Sequence, residues 1–344
     1  MGRVNSRFVK RQQRIFHYDV RHIATRPEVS LLTNRHVLVT GIKRQGGLLN
    51  HHVLVSQKRY PTRLGRTPDF SRAMSTNRNV RPQIAAFTAE SYSVLAGAAG
   101  AGLIILCDHA RNAFPDQYGT LGLPEAQLKR HIAYDIGAEA ITRQLAAILG
   151  VPALMTHYSR LLIDPNRGED DPTLIMRLSD GAIVPGNRNV DAAEREFRLE
   201  RYYRPYHLAI GDVLDRCSAT GITPAILSVH SFTESWKSVP RPWHAGILWD
   251  RDPRLAVPLL DALFAEGDLI VGDNEPYHGG LEGDTMWQHG TSRNLAHALI
   301  EVRQDLIRDD SGQEAWAKRL ARLMRQLLDR PDLQLAFRMP RTKV

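Results

Sequence analysis

Short, wholly apolar runs recur along this chain and are separated by stretches of helical period. Residues 103–106 read Leu-Ile-Ile-Leu, which suits a strand buried on both faces, and the run ends at Cys107-Asp108-His109. Residues 125–149 repeat apolar positions at helical spacing, contain His131 and Asp135, and stop at Gly150 and Pro152, so they predict one helix. Residues 153–163 read as strand, turn, strand, and give way to Asp164-Pro165-Asn166-Arg167. The polar stretch 168–189 predicts a long functional loop with a little local structure. A helix is expected over 191–217 and a buried strand over 225–229, ending at His230. Further strands are expected at 246–249, 269–271 and 298–302, with helices at 254–266 and 313–328. Strands alternating with helices predict an α/β fold with a mostly parallel or mixed central sheet flanked by helices. There is no internal repeat, P-loop, Gly-x-Gly-x-x-Gly turn or Gly-x-Ser-x-Gly elbow.

Charge changes this picture only at one end. The 344 residues carry a net charge of +8. Residues 1–73 hold 15 Lys and Arg against three acids, Asp19, Glu28 and Asp69, while the rest hold 30 basic and 34 acidic residues. The body, 74–344, is therefore mildly acidic and is expected to be a single domain. The basic segment lacks sustained periodicity and a signal-type apolar core, and reads as a poorly ordered extension. A transit peptide, a nucleic-acid-binding arm or a true start at Met74 are the other readings. Without a motif or interleaved aromatics, nucleic acid is not the expected partner. The longest apolar run, residues 94–107, is too short and too rich in Ala and Gly to span a membrane. Two cysteines, Cys107 and Cys217, make no disulfide framework, so a reducing, cytoplasmic setting is expected.

The expected strand ends carry His109, Asp164, His230, Asp273 and Glu301. Ligands of open α/β sheets bind there. His109 and His230 suit zinc, which takes imidazole nitrogen and carboxylate oxygen and in catalytic sites keeps a position open for water. Either histidine could instead be a hydrogen-bonded core residue, and Asp108 could simply hold its loop. Arg160, Asn166 and Arg167 could clamp a substrate carboxylate. They could equally form a surface ion cluster with Glu169, Asp170 and Asp171. Glu301, inside an apolar strand, suits a general base of raised pKa or an ion pair with Arg303.

Taken together, Cys107-Asp108-His109-Ala110-Arg111-Asn112, His131-Ile-Ala-Tyr-Asp135, Ser159-Arg160-Leu-Leu-Ile-Asp164-Pro-Asn166-Arg167, Val229-His230-Ser231-Phe232 and Ile300-Glu301-Val302-Arg303 resemble the N-formylglutamate amidohydrolase family. The resemblance covers roughly 103–328 and leaves 1–73 without a counterpart. It implies a hydrolase fold like that of the zinc exopeptidases and phosphorylases, and a zinc ion held by His109 and His230. It also implies Glu301 as the residue that activates water, and Asn166-Arg167, with Arg160 as a further candidate, as the carboxylate clamp. Asn112 and Arg303 complete the expected substrate contacts. Where the similar carboxypeptidases have glutamate three residues after the first histidine, this chain has Asn112. The carboxylate ligand is then expected to be Asp135, with Asp108 and Asp164 as alternatives. The implied activity is zinc-dependent hydrolysis of a small acidic N-acyl amino acid. A carboxypeptidase acting on short peptides or an inactive relative that only binds a small acid are the alternatives.

Overall fold

The computed structural model describes residues 82–335. The proposed boundary at residue 74 and the basic extension lie outside the described residues.

Eight strands form one mixed sheet: β1 (Phe87–Thr88), β2 (Tyr92–Leu95), β3 (Leu103–Cys107), β4 (Ala153–Thr156), β5 (Ala225–Phe232), β6 (Ala245–Leu248), β7 (Val271–Asp273) and β8 (His297–Arg303). Their order across the sheet is β7-β6-β8-β5-β3-β4-β2-β1. The pairs β8/β5, β5/β3, β3/β4 and β6/β7 are parallel, whereas β6/β8, β4/β2 and β2/β1 are antiparallel.

The apolar run at 103–107 shows why both faces are covered. Successive side chains of a strand point to opposite sides. Leu103, Ile105 and Cys107 enter a core shared with α2 (Ala138–Leu149), α5 (Pro253–Ala265) and α7 (Asp310–Leu328). Ile104 and Leu106 enter the opposite core, which is built on α4 (Arg204–Ser218). The same alternation fixes two polar residues. In β5, Leu227 and Val229 face the first core, so Ser228 and His230 face the α4 side. In β8, Ala298, Ile300 and Val302 face the first core, so Leu299 and Glu301 face the α4 side. Glu301 is the register partner of His230.

Four expected elements differ, the simplest being the strand expected over 269–271, which lies at Val271–Asp273. The helix expected over 125–149 is α1 (Glu125–Leu128) and α2, with a turn-rich stretch between them. Gly137 breaks it: its φ is +82°, and a Cβ there would stand 2.5 Å from the Ile307 carbonyl oxygen. Of 153–163, only β4 is strand, because the chain turns at Ser159, whose hydroxyl donates to Ala133 O and accepts from Leu161 N. The helix over 191–217 is α3 (Ala192–Arg198), a π-helical turn at Leu199–Tyr203 and α4. Strands β1 and β2 were not expected. They are short and partly exposed, and so lack the apolar run that marks the interior strands. The loop over 168–189 does hold only local structure, a two-residue ribbon of Leu178–Ser179 with Ala182–Ile183 and one 3-10 turn. A further short helix, α6 (Thr285–His289), is capped by Asp284.

Candidate active site

A cavity of about 290 Å³ opens at the carboxyl ends of β3, β5 and β8, on the α4 side of the sheet. His109, Asp135, Arg160, Asn166, Arg167, His230 and Glu301 all line it. His109 lies just beyond β3. Asp135 is carried to it by the stretch that replaces the middle of the expected helix, and its backbone N–H donates to His109 O at 2.9 Å.

The two histidines are arranged alike. His109 Nε2 lies 2.8 Å from Asp164 Oδ1, and His230 Nε2 lies 3.2 Å from Asp108 Oδ2. A carboxylate only accepts, so a ring nitrogen that bonds to one does so as a protonated donor. Both Nδ1 atoms then face the same oxygen, Asp135 Oδ2, at 3.3 Å from His109 and 2.8 Å from His230. With Nδ1 protonated, each ring donates to Asp135; a cation that displaces those protons meets the same three atoms. His109, Asp135 and His230 are buried, and their ligand atoms lie within 4.8 Å of one another. Two imidazoles and a carboxylate, each imidazole backed by a second carboxylate, are a donor set that suits zinc.

The supporting acids are themselves held. Asp108 accepts from Tyr206 OH at 2.9 Å as well as from His230. Burial opposes its charge, but those bonds outweigh it and keep its carboxyl below the usual range. Asp164 accepts from Arg160 Nε and Nη2 at 3.0 and 2.7 Å and from the Asn166 N–H at 2.9 Å. Burial again opposes ionisation, and Arg160 and His109 bring the carboxyl well below its ordinary value. Asp135 is likewise lowered against its burial by the two histidines. Burial works against charge on His230 too, yet Asp108 and Asp135 raise its pKa well above that of free imidazole.

Glu301 is the exception. It is 7 % exposed and its Oε2 has no hydrogen-bond partner. Burial pushes its carboxyl up to about 7, against the pull of His230. The ion pair considered with Arg303 is not formed. Arg303 instead binds Asp305 at 2.7 Å and three backbone carbonyls of residues 241–243.

Asn166 has its Oδ1 fixed by the Thr285 N–H of α6 at 3.1 Å, which turns the amide's donor end away from that bond. Arg167 is held by Asn166 O and Thr173 Oγ1, both neutral acceptors, and makes no ion pair with a described carboxylate. The alternative surface cluster is absent among the described residues: Glu169 pairs with Arg204, and Asp171 binds Thr173. Asn112 and Arg303 do not line the cavity. The Asn112 amide is spent on Leu128 O at 2.8 Å, where it ties the loop after β3 to α1.

The cavity also contains residues the sequence did not single out, Asp284, Trp236 and His297, while Tyr277 closes the motif that follows the expected strand end at Asp273. The Gly-Asp-Thr-Met-Trp run could have disclosed Asp284 as a helix cap. Trp236 lies in a two-residue ribbon, Ser235–Trp236, too short to show a period.

A family model described as N-formylglutamate amidohydrolase matches residues 101–308. The solved structure of an Agrobacterium tumefaciens gene product is 33 % identical over 70 % of this chain and 95 % of that one, with a TM-score of 0.65. The solved N-formylglutamate amidohydrolase of Ralstonia eutropha is 21 % identical, covering 69 % of this chain and 97 % of its own, with a TM-score of 0.55, and shares the fold. No curated protein matches the chain.

Proposed function

The chain belongs to the N-formylglutamate amidohydrolase family, and from that membership we propose that it hydrolyses the amide bond of a small N-acyl amino acid at a zinc site. The observation that carries this reading is the convergence of two buried imidazole Nδ1 atoms on Asp135 Oδ2, beside the unpartnered oxygen of Glu301. His109, Asp135 and His230 are the proposed ligands, with Asp108 and Asp164 fixing the imidazoles from behind. When bound, zinc supplies a Lewis acid that polarises the scissile carbonyl and acidifies water.

The chain's own residues do the rest. Glu301 accepts the proton of the attacking water on its free oxygen and delivers it to the departing amine nitrogen. A base with a pKa near neutrality serves both directions of transfer, and the desolvation of Glu301 supplies that value. Arg167 and the donor end of Asn166 bind the carboxylate of the amino acid and thereby orient the amide. Arg160 is already paired with Asp164, and its Nη1 lies 3.7 Å from Asp135. Its proposed role is to stabilise the charge that develops on the carbonyl oxygen. Asn112 and Arg303 are proposed to hold loops around the site.

A cavity of about 290 Å³ favours a small amide over a peptide. Among the described residues no helix is long and apolar enough to cross a membrane. The free, buried state of both cysteines supports a cytoplasmic setting. The test pairs elemental analysis of the purified protein with hydrolysis of N-formyl and N-acetyl amino acids, before and after chelation. Stoichiometric zinc and activity that is lost and restored with it are expected. Undiminished turnover after verified metal removal refutes the zinc mechanism.

A further inference from the structure

We infer that Ser231 and Gln304 are positioning residues for Asp135, and that a relay of hydrogen bonds through them holds its carboxylate where the two imidazoles meet it. The inference rests on the zinc reading of the site and goes on to what stands behind the third ligand.

His230 lies within β5 and His109 just past β3, whereas Asp135 lies in the irregular stretch before α2. No regular element fixes that stretch, so its main chain is tied down atom by atom. The Asp135 N–H donates to His109 O at 2.9 Å. Upstream, the Ser159 hydroxyl donates to Ala133 O at 2.8 Å. Downstream, the Ser231 hydroxyl donates to Ile136 O at 2.9 Å. Two buried serines thus grip the backbone on either side of the ligand. A ligand is placed no better than the backbone that carries it.

A hydroxyl has one proton to give and can also accept. Ser159 accepts from the Leu161 N–H at 3.2 Å, and Ser231 accepts from Gln304 Nε2 at 3.1 Å. Each incoming donor leaves the serine proton directed at its carbonyl. The support for Ser159 is local. That for Ser231 comes from the 3-10 turn Gln304–Leu306, which follows β8. Gln304 is buried, and its amide nitrogen also lies 3.4 Å from Ser231 O. The same turn reaches the next residue of the stretch. The Ile307 N–H closes it on Gln304 O at 3.1 Å, and the Ile307 carbonyl oxygen stands against Gly137. Residues 136 and 137 are therefore clasped between β5 and the turn after β8. The Ser231 N–H also faces Asp135 Oδ2 at 3.4 Å. Without the Gln304 amide, the Ser231 hydroxyl is free to rotate and Ile136 O to move, one residue from the ligand.

The experiment is a chelator competition for zinc on the full chain, with urea unfolding of the metal-free proteins alongside. Gln304→Met removes the amide and keeps the length of the side chain. Ser231→Ala removes the hydroxyl, and Ser231→Thr retains one. Gln304→Met and Ser231→Ala should each weaken zinc binding by about 10- to 100-fold, the scale found for residues behind metal ligands. Ser231→Thr should recover most of that loss. The double variant should bind zinc as Ser231→Ala does, because both changes act through one hydroxyl. A merely structural role would lower the stability of the metal-free protein and leave zinc affinity unchanged, and that result overturns the inference. So does a double variant whose loss is the product of the two single losses. If Gln304→Met does not fold, Ser231→Ala decides by the same criterion. An unaltered chain that takes up no zinc ends the zinc reading and this inference with it. One that binds zinc no more tightly than its variants ends this inference alone.

Discussion

Lowering the pH should unfold this protein through one buried pair of histidines. His207 on α4 and His289 on α6 stack with ring centroids 5.2 Å apart. His207 Nε2–H donates to Pro165 O at 3.0 Å, so its Nδ1 is the acceptor for the His289 Nε2–H at 2.9 Å. This chain of bonds uses both rings in the neutral form and ends on the backbone next to Asn166. Burial brings His207 down to about 4 and His289 to about 3, the latter also repelled by His207 and by Arg293. Asp108 and Glu169 pull His207 the other way without prevailing.

In the unfolded chain both histidines titrate near 6.5. Between that value and the folded values, the unfolded state binds the extra protons, so stability falls as pH falls. At pH 5 each histidine has forfeited about 2 kcal/mol relative to pH 8, taking about 1.4 kcal/mol per pH unit. His289→Gln keeps an amide N–H for His207 and removes one titrating ring. Urea unfolding of wild type and variant at pH 8 and pH 5 isolates the effect from the other titrating groups. The variant should lose about 2 kcal/mol less than wild type across that interval. If the two losses agree within about 0.5 kcal/mol, the pair does not titrate as its burial requires.

Three further outcomes are expected. Glu301→Gln should lower kcat by roughly 10²- to 10⁴-fold while elemental analysis finds the metal retained; near-normal turnover removes Glu301 from the proton transfer. Asp164→Asn weakens the support behind His109 and should cut zinc affinity by about 10- to 100-fold in a chelator competition, with the ligands themselves untouched. Gly246→Ala would bring a Cβ to within 1.9 Å of the Glu275 carbonyl oxygen in the turn that carries Tyr277 into the cavity wall. It should cost about 1 to 3 kcal/mol in urea unfolding and raise KM, and unaltered stability would mean that the turn relaxes freely.

The interior strands and the residues at their ends were legible because a buried strand leaves an unbroken apolar run and a polar residue stops it. That is how Leu103–Cys107 pointed to His109, and residues 225–229 to His230. Glu301 was legible for the same reason, as a charge inside such a run. Asp135 was legible as a residue but not as a place, since the apolar spacing on both sides of Gly137 continues a helix that the backbone does not form. Nor could the sequence divide labour among Asp108, Asp135 and Asp164. Their side chains are identical, and only the positions of the imidazole nitrogens separate the shared acid from the two behind it. The edge strands and the aromatic wall are surface features, where hydrophobic period fades.

The strand order has a consequence for how the molecule is made. β8, the last strand in chain order among the described residues, lies between β5 and β6 in the middle of the sheet. Without β8, β5 and β6 have no pairing partner on their facing edges. Glu301 arrives with the strand that joins them. The proposed base therefore joins the site only when the sheet is completed, and α7 follows to cover the core face. Activity in a nascent or truncated chain would report that the gap between β5 and β6 has been filled from elsewhere, by the matching strand of another copy.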